Sequence, residues 1–281
     1  MKIEKLQLPE SAIEFLKSQG FEKLYPPQAD SIKSGLLDGK SVLVSAPTAS
    51  GKTLIAMLGM MSYLSKNKGK VIYLSPLRAL AAEKLSEFKK LEKIALGNKI
   101  KVGISTGDFE NIEKNLEKNN ILILTNEKMD SIIRHGAEWI DEIGLVIADE
   151  VHLIGDENRG PTLEMILTQL KLLETKPQIV GLSATITNSD EIANWLGCTL
   201  VENDWRPVPL SEGVCDAGEV TMADGTTFEV ERSIRGTPID LGVQSVKDGG
   251  QSLVFAETRT RSKSLATKAS DAISQILEKK I

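Results

Sequence analysis

The chain has 281 residues, 41% of them hydrophobic and 26% charged, with two cysteines and a formal net charge of −5. That length suits one large domain or two smaller ones, the apolar share excludes a chain too polar to build a core, and Cys198 and Cys215 alone exclude a disulfide framework or a cysteine-rich zinc ribbon. The total charge argues against a polyanion partner but conceals an asymmetry: residues 1–100 hold 16 basic and 9 acidic side chains, residues 101–231 hold 9 and 25, and residues 232–281 hold 9 and 5.

The first twenty residues carry acids throughout and no apolar run of signal-peptide length. The most apolar stretch, 54–61, is far shorter than the roughly 20 residues a membrane span requires. A soluble, reducing, cytoplasmic setting is the expectation. Short runs rich in Val and Ile then recur at 41–45 (SVLVS), 70–75 (KVIYLS), 101–104, 121–124 (ILIL), 145–148 (LVIA) and 178–182 (QIVGL). Runs this short and this apolar predict strands buried on both faces. Amphipathic stretches such as 78–93 and 162–174 alternate with them, which predicts an α/β fold: a parallel sheet covered by helices.

The texture changes after Trp195, and a domain boundary is expected near residue 205, between a first domain, 1–204, and a second, 205–281. Pro207, Pro209, Gly213 and Gly218, with a turn at Ala223-Asp224-Gly225, predict strands joined by tight turns. Gly236, Pro238, Gly242, Gly249 and Gly250 read as an irregular or mobile connection. A further buried strand is expected at 252–256 (SLVFA), then a helix from about 260 to 280.

Three segments carry candidate chemistry. Ala46-Pro47-Thr48-Ala49-Ser50-Gly51-Lys52-Thr53 lies between a predicted strand and a predicted helix. A tight loop at a helix N-terminus aims backbone N–H groups at a phosphate. Lys52 would then reach the β- and γ-phosphates and the Thr53 hydroxyl would hold Mg²⁺. The strict G-x-x-x-x-G-K-[ST] pattern is departed from at Ala46, a residue small enough to leave the loop feasible. Asp149-Glu150-Val151-His152 follows the strand at 145–148. Carboxylates at a buried strand end need a cation or a partner, and open α/β sheets place their ligand crevice there. Asp149 would hold Mg²⁺ through water, and Glu150 would orient and polarise an attacking water. Ser183-Ala184-Thr185 adds two hydroxyls after a third strand.

In this order A-P-T-x-x-G-K-T, D-E-V-H and S-A-T resemble the DExH-box helicases of superfamily 2. Tyr25-Pro26-Pro27-Gln28 resembles the Q motif of that family, Ser75-Pro76-Leu77-Arg78-Ala79-Leu80 its motif Ia, and Thr106-Gly107-Asp108 with Thr125-Asn126-Glu127-Lys128 its Ib region. Leu253-Val254-Phe255 with Thr258-Arg259 is similar to motif IV, which opens a second RecA-like domain. Gly160-Pro161-Thr162-Leu163-Glu164 and Trp205-Arg206-Pro207-Val208-Pro209-Leu210 resemble the archaeal Hjm-type DNA helicases and their animal HELQ relatives.

The resemblance implies an ATP- and Mg²⁺-dependent motor that travels 3′→5′ on single-stranded or forked DNA in repair. Lys52, Asp149 and Glu150 would be catalytic, Gln28 would read the adenine edge, and residues 46–53 would hold the nucleotide. Pro76, Arg78, Thr106, Gly107, Thr125 and Lys128 would contact the strand backbone, while His152, Ser183 and Thr185 would couple nucleotide state to domain movement. No late Q-x-x-G-R-x-G-R pattern follows Arg259. The expectation is therefore the N-terminal motor part of a longer helicase, monomeric, with an incomplete second RecA-like domain and slow ATP turnover. Two alternatives stay open: an RNA helicase of the exosome-associated branch, and a nucleotide-gated binding module without turnover.

Overall fold

The computed structural model describes residues 1–97, 99–107, 116–233 and 236–278, and the chain divides into two compact units, Met1–Pro207 and Val208–Ile281. In the first unit, α1 (Glu10–Ser18) and α2 (Pro26–Lys33) precede β1 (Val42–Ser45). Next come α3 (Lys52–Lys66), β2 (Lys70–Ser75), α4 (Arg78–Phe88), β3 (Val102–Ser105), β4 (Ile121–Thr125) and α5 (Asn126–Arg134). The unit closes with β5 (Ile143–Ala148), α6 (Gly160–Lys171), β6 (Gln178–Ser183), α7 (Ser189–Leu196) and β7 (Thr199–Glu202).

The seven strands form one sheet in the order β3-β4-β2-β5-β6-β1-β7, every pairing parallel. Helices cover both faces, and two apolar clusters follow from this. Ile55, Leu58, Tyr73, Phe88, Ile123 and Leu182 lie on one side; Leu43, Ile72, Leu124, Val146, Leu163 and Leu167 lie on the other. Alternate residues of β2 serve opposite clusters, Tyr73 one and Ile72 and Leu74 the other, which is why these strands are apolar throughout. The fold is a RecA-like parallel α/β domain. The six strands expected here all form, each within two residues of its expected limits. The helix expected at 162–174 runs from Gly160 to Lys171, with Pro161 in the first turn, where its missing N–H costs nothing. The edge strand β7 was not expected, because Thr199–Glu202 buries only Val201 and so lacks an apolar run.

The second unit contains a three-stranded antiparallel sheet, β10-β9-β8, from β8 (Gly213–Asp216), β9 (Glu219–Met222) and β10 (Thr227–Glu229), followed by α8 (Thr237–Lys247) and α9 (Arg259–Glu278). The expected turn at Ala223-Asp224-Gly225 joins β9 to β10, Asp224 accepting from the Thr226 N–H and hydroxyl. Two expectations fail. The supposed connection 236–250 is the helix α8: Gly236 and Gly249 flank it and Pro238 sits in its first turn, so only Gly242 interrupts it. The expected strand 252–256 pairs with nothing among the described residues, leaving Leu253 80% and Phe255 85% exposed. A parallel strand needs neighbours, and an apolar run cannot create them. Asp108 and residues 279–281 lie outside the described residues.

No helix among the described residues is long and apolar enough to cross a membrane. Cys198 and Cys215 are both free thiols.

Candidate nucleotide site and strand-end cleft

Because every strand of the first sheet is parallel, the residues that follow β1, β2, β3, β4, β5 and β6 all emerge at one edge. Register aligns them closely: Ser45 opposes Ser183, and Ala148 opposes Gly181. Residues 46–53, 149–152 and 183–185 therefore meet although about 95 and about 30 positions separate them along the chain.

The loop after β1 ends in Gly51, in the left-handed region at φ 86°, and α3 starts at Lys52. A Cβ on Gly51 would stand 2.2 Å from Gln28 Nε2, so glycine is required both for the turn and for the approach of Gln28. Among the described residues the N–H groups of Gly51, Lys52 and Thr53 donate to no protein acceptor, as first-turn amides of a helix do. The Ser50 hydroxyl is fully buried without a partner. Lys52 Nζ donates to the Ala46 and Pro47 carbonyls at 2.8 and 3.2 Å. Burial holds its ammonium below the usual lysine range; Glu150 and Asp149 oppose that shift and Arg206 adds to it. Thr48 and Ala49 are exposed, Ala49 itself at φ 67°. A loop with free amides, a buried orphan hydroxyl and a lysine bonded only to its own carbonyls fits a polyphosphate.

Gln28 is 2% exposed and bridges α2 to this loop. Its Oε1 accepts from the Tyr25 N–H at 2.7 Å and its Nε2 donates to the Gly51 carbonyl at 3.2 Å. One amide hydrogen and one lone pair stay available.

Asp149 follows β5, its Oδ2 accepting from the Tyr73 hydroxyl at 2.6 Å and its Oδ1 from the Glu150 N–H at 3.1 Å. Burial, then Asp149, pushes the Tyr73 phenol well above its ordinary range. Glu150 adopts the left-handed conformation at φ 53°, a strained position for a residue with a Cβ. The Ala184 N–H donates to His152 Nδ1 at 3.3 Å, so the neutral ring carries its proton on Nε2. Glu150 Oε2 lies 3.4 Å from the same Nδ1 and pairs with it only when the ring is protonated. Ser183 Oγ donates to the Ala184 carbonyl at 2.8 Å, and the Ser45 hydroxyl reaches that oxygen at 3.4 Å. His152, Ser183 and β1 thus converge on one residue, Ala184. Thr185 is exposed and stands apart from that network.

Thr53 Oγ1 accepts from Lys84 Nζ at 3.0 Å. Lys84 is 8% exposed and is held by Glu83 and Glu87. The Thr53 hydroxyl and the Asp149 carboxylate offer hard oxygen donors suited to Mg²⁺, which takes few protein ligands and completes its shell with water and phosphate.

A separate cleft runs over the ends of β2, β3 and β4. It is lined by all six expected nucleic-acid residues, Pro76, Arg78, Thr106, Gly107, Thr125 and Lys128, and by Arg159 from before α6. Two of the six also have structural roles. Thr125 is 3% exposed and caps α5 through the Lys128 N–H, and Lys128 is 5% exposed. Sequence reading missed Tyr73, Lys84 and Arg159. A tyrosine inside a buried strand signals a hydroxyl in need of a partner; the other two carry no local signal.

Fold and site together define a RecA-like α/β domain with a candidate phosphate loop and an acid pair at its strand ends. The DEAD/DEAH box helicase family profile matches residues 25–192, and the chain belongs to that family, whose members use ATP with Mg²⁺. It is 43% identical over 279 residues to the ATP-dependent DNA helicase Hel308 of Thermococcus kodakarensis, covering 99% of this chain and 24% of that protein. It is 43% identical to Hel308 of Pyrococcus horikoshii, covering 100% and 38%, and 42% identical to Hel308 of Methanocella arvoryzae, covering 99% and 37%. The chain thus spans about a quarter to two-fifths of the curated relatives it matches. Among solved structures the DUF1998 helicase MrfA superposes with a TM-score of 0.73 at 21% identity, covering 97% of this chain and 42% of MrfA. MrfA bound to DNA gives 0.74 at 22%, covering 95% and 39%. At these identities the likeness speaks for the fold.

Proposed function

We propose that this chain is motor machinery of an ATP-dependent DNA helicase, holding Mg-ATP at residues 46–53 and the backbone of a single DNA strand in the Pro76–Lys128–Arg159 cleft. The observation that supports this reading most is the all-parallel register, which gathers Lys52, Asp149, Glu150 and His152 at the edge that also bears the cleft. The relatives that share over two-fifths of its residues are named as DNA helicases.

In this reading the free amides of 51–53 and Lys52 receive phosphate oxygens, and Lys52 exchanges its two carbonyl partners for them. Thr53 and Asp149 would hold Mg²⁺, which would shield phosphate charge when bound. Glu150 orients water, its backbone held by Asp149 and its carboxylate beside His152. His152 and Ser183, meeting at Ala184, relay the state of the acid pair to β1 and its loop. The cleft supplies hydroxyls, a backbone glycine and cations, groups that grip phosphates without reading bases. The chain also provides, in its second unit, the start of a second RecA-like domain.

Titration of the purified chain with Mg-ATP, then turnover assays with single-stranded DNA and matched RNA, test this. The expected results are saturable binding lost in Lys52→Ala, and hydrolysis that is slow, responds to DNA and falls further in Glu150→Gln with affinity kept. Binding unaffected by Lys52→Ala overturns the site. Stimulation by RNA alone assigns the strand to RNA, and nucleotide binding with hydrolysis indifferent to Glu150→Gln favours a binding module.

A further inference from the structure

The edge strand β7 runs parallel to β1, with Glu202 opposite Ser45. The chain leaving β7 therefore emerges beside the candidate phosphate loop. It is fastened there at three points, Asn203 to β1 and to α2 and Trp205 to Tyr25. The Asn203 N–H donates to the Ser45 carbonyl at 3.1 Å, the Asn203 amide donates to Asp30 Oδ2 on α2 at 2.9 Å, and Asn203 Oδ1 accepts from the Trp205 N–H at 2.9 Å. Trp205 then lies on Tyr25, ring centroids 4.4 Å apart and planes tilted by 41°. Tyr25 belongs to the turn whose Gln28 bonds Gly51, and its Cδ2 stands 3.6 Å from the position a Cβ on Gly51 would occupy. An indole is thereby held beside Gln28, half-exposed, with its other face unclaimed by any described ring.

The next residue, Arg206, is exposed and has no carboxylate within ion-pair distance among the described residues. The three-point anchorage restricts where its guanidinium can go, keeping the residue near the end of β1, where the loop of Lys52 begins. Two cations at one loop repel unless an anion joins them. A planar guanidinium suits phosphate oxygens in particular.

We propose that Trp205 and Arg206 complete the nucleotide site from the end of β7: Trp205, backed by Tyr25, forms a wall for the base, and Arg206 is a second cation on the polyphosphate beside Lys52. This rests on the nucleotide reading of residues 46–53 and deepens it, since it makes the site prefer a triphosphate by charge and an aromatic base by stacking.

Calorimetric titration and tryptophan fluorescence with Mg-ATP, Mg-ADP and AMP test the two residues separately, with thermal melts to establish that each variant folds. Arg206→Gln is expected to weaken Mg-ATP about tenfold, the scale of a charge-assisted phosphate contact, while AMP changes about twofold or less. Trp205→Ala is expected to weaken all three nucleotides by a similar factor. Trp205→Phe retains the ring stack and removes the indole, so the nucleotide-dependent fluorescence change disappears although Trp139 and Trp195 remain. If Arg206→Gln affects ATP and AMP equally, or neither, the arginine has no phosphate role. If Trp205→Phe keeps the fluorescence signal, or Trp205→Ala keeps every affinity, the base wall is elsewhere. A wild-type chain that binds no nucleotide, or binding that survives Lys52→Ala, fails the nucleotide reading itself. Binding lost in Lys52→Ala and intact in both Trp205→Ala and Arg206→Gln fails only this inference.

Discussion

At the scale of single residues, Tyr73 decides how Asp149 is presented. Its hydroxyl is the one side-chain donor to that carboxylate among the described residues, and the ring is fully buried against Phe88, centroids 5.0 Å apart. Tyr73→Phe leaves Asp149 Oδ2 without that donor and is expected to cost about 1–3 kcal/mol of stability at neutral pH, read by denaturant unfolding. The pH dependence has a definite sign. An unfolded tyrosine ionises near pH 10 (about the free value), whereas the folded phenol keeps its proton well above that. Its stabilisation is therefore complete below about pH 10 and is lost as pH rises further; the phenylalanine variant should lack that alkaline loss. Cys198 is a second case. Burial pushes its thiol up to about 12. At pH 8 only about one thiol in ten thousand is then ionised, so Cys198 should resist iodoacetamide until the chain is unfolded. Mass mapping of rapid Cys198 alkylation in the native chain would contradict this.

At the scale of elements, the junction of β4 and α5 performs two tasks with one side chain. Thr125 ends β4, lines the cleft, and accepts the Lys128 N–H as N-cap of α5. Thr125→Ala should lose about 1 kcal/mol through the cap, with weaker single-strand binding. Thr125→Ser keeps the oxygen and should restore both, as melts and DNA titrations would show. A serine variant with restored stability but no restored DNA affinity would separate the methyl group from the cap. The second unit shows how far local chemistry alone reaches. The Ala217-Gly218 and Asp224-Gly225 turns give its three strands their pairing, whereas α8 forms through a glycine-rich segment because its glycines flank the helix more than they enter it.

At the scale of the whole molecule, a net charge of −5 coexists with a cleft bearing Arg78, Lys128 and Arg159. DNA affinity should fall with salt, and Arg159→Gln should reduce the slope of log K against log salt by about 0.7, the share of one phosphate contact on a single strand. An unchanged slope would remove Arg159 from the interface. What the sequence determined by itself was what lies in adjacent residues: six short Val- and Ile-rich strands, the loop 46–53 between strand and helix, and the acid pair after β5. Those signals are legible because burial on both faces and the demands of a tight phosphate loop act over a few positions. Only the tertiary structure decided which distant residues meet. Tyr73 reaches Asp149, Lys84 reaches Thr53, and Trp205 reaches Tyr25, because strand order and parallel register set those neighbours. It also decided that 252–256 is not a strand among the described residues, since an apolar run becomes one only where another strand offers its backbone hydrogen bonds.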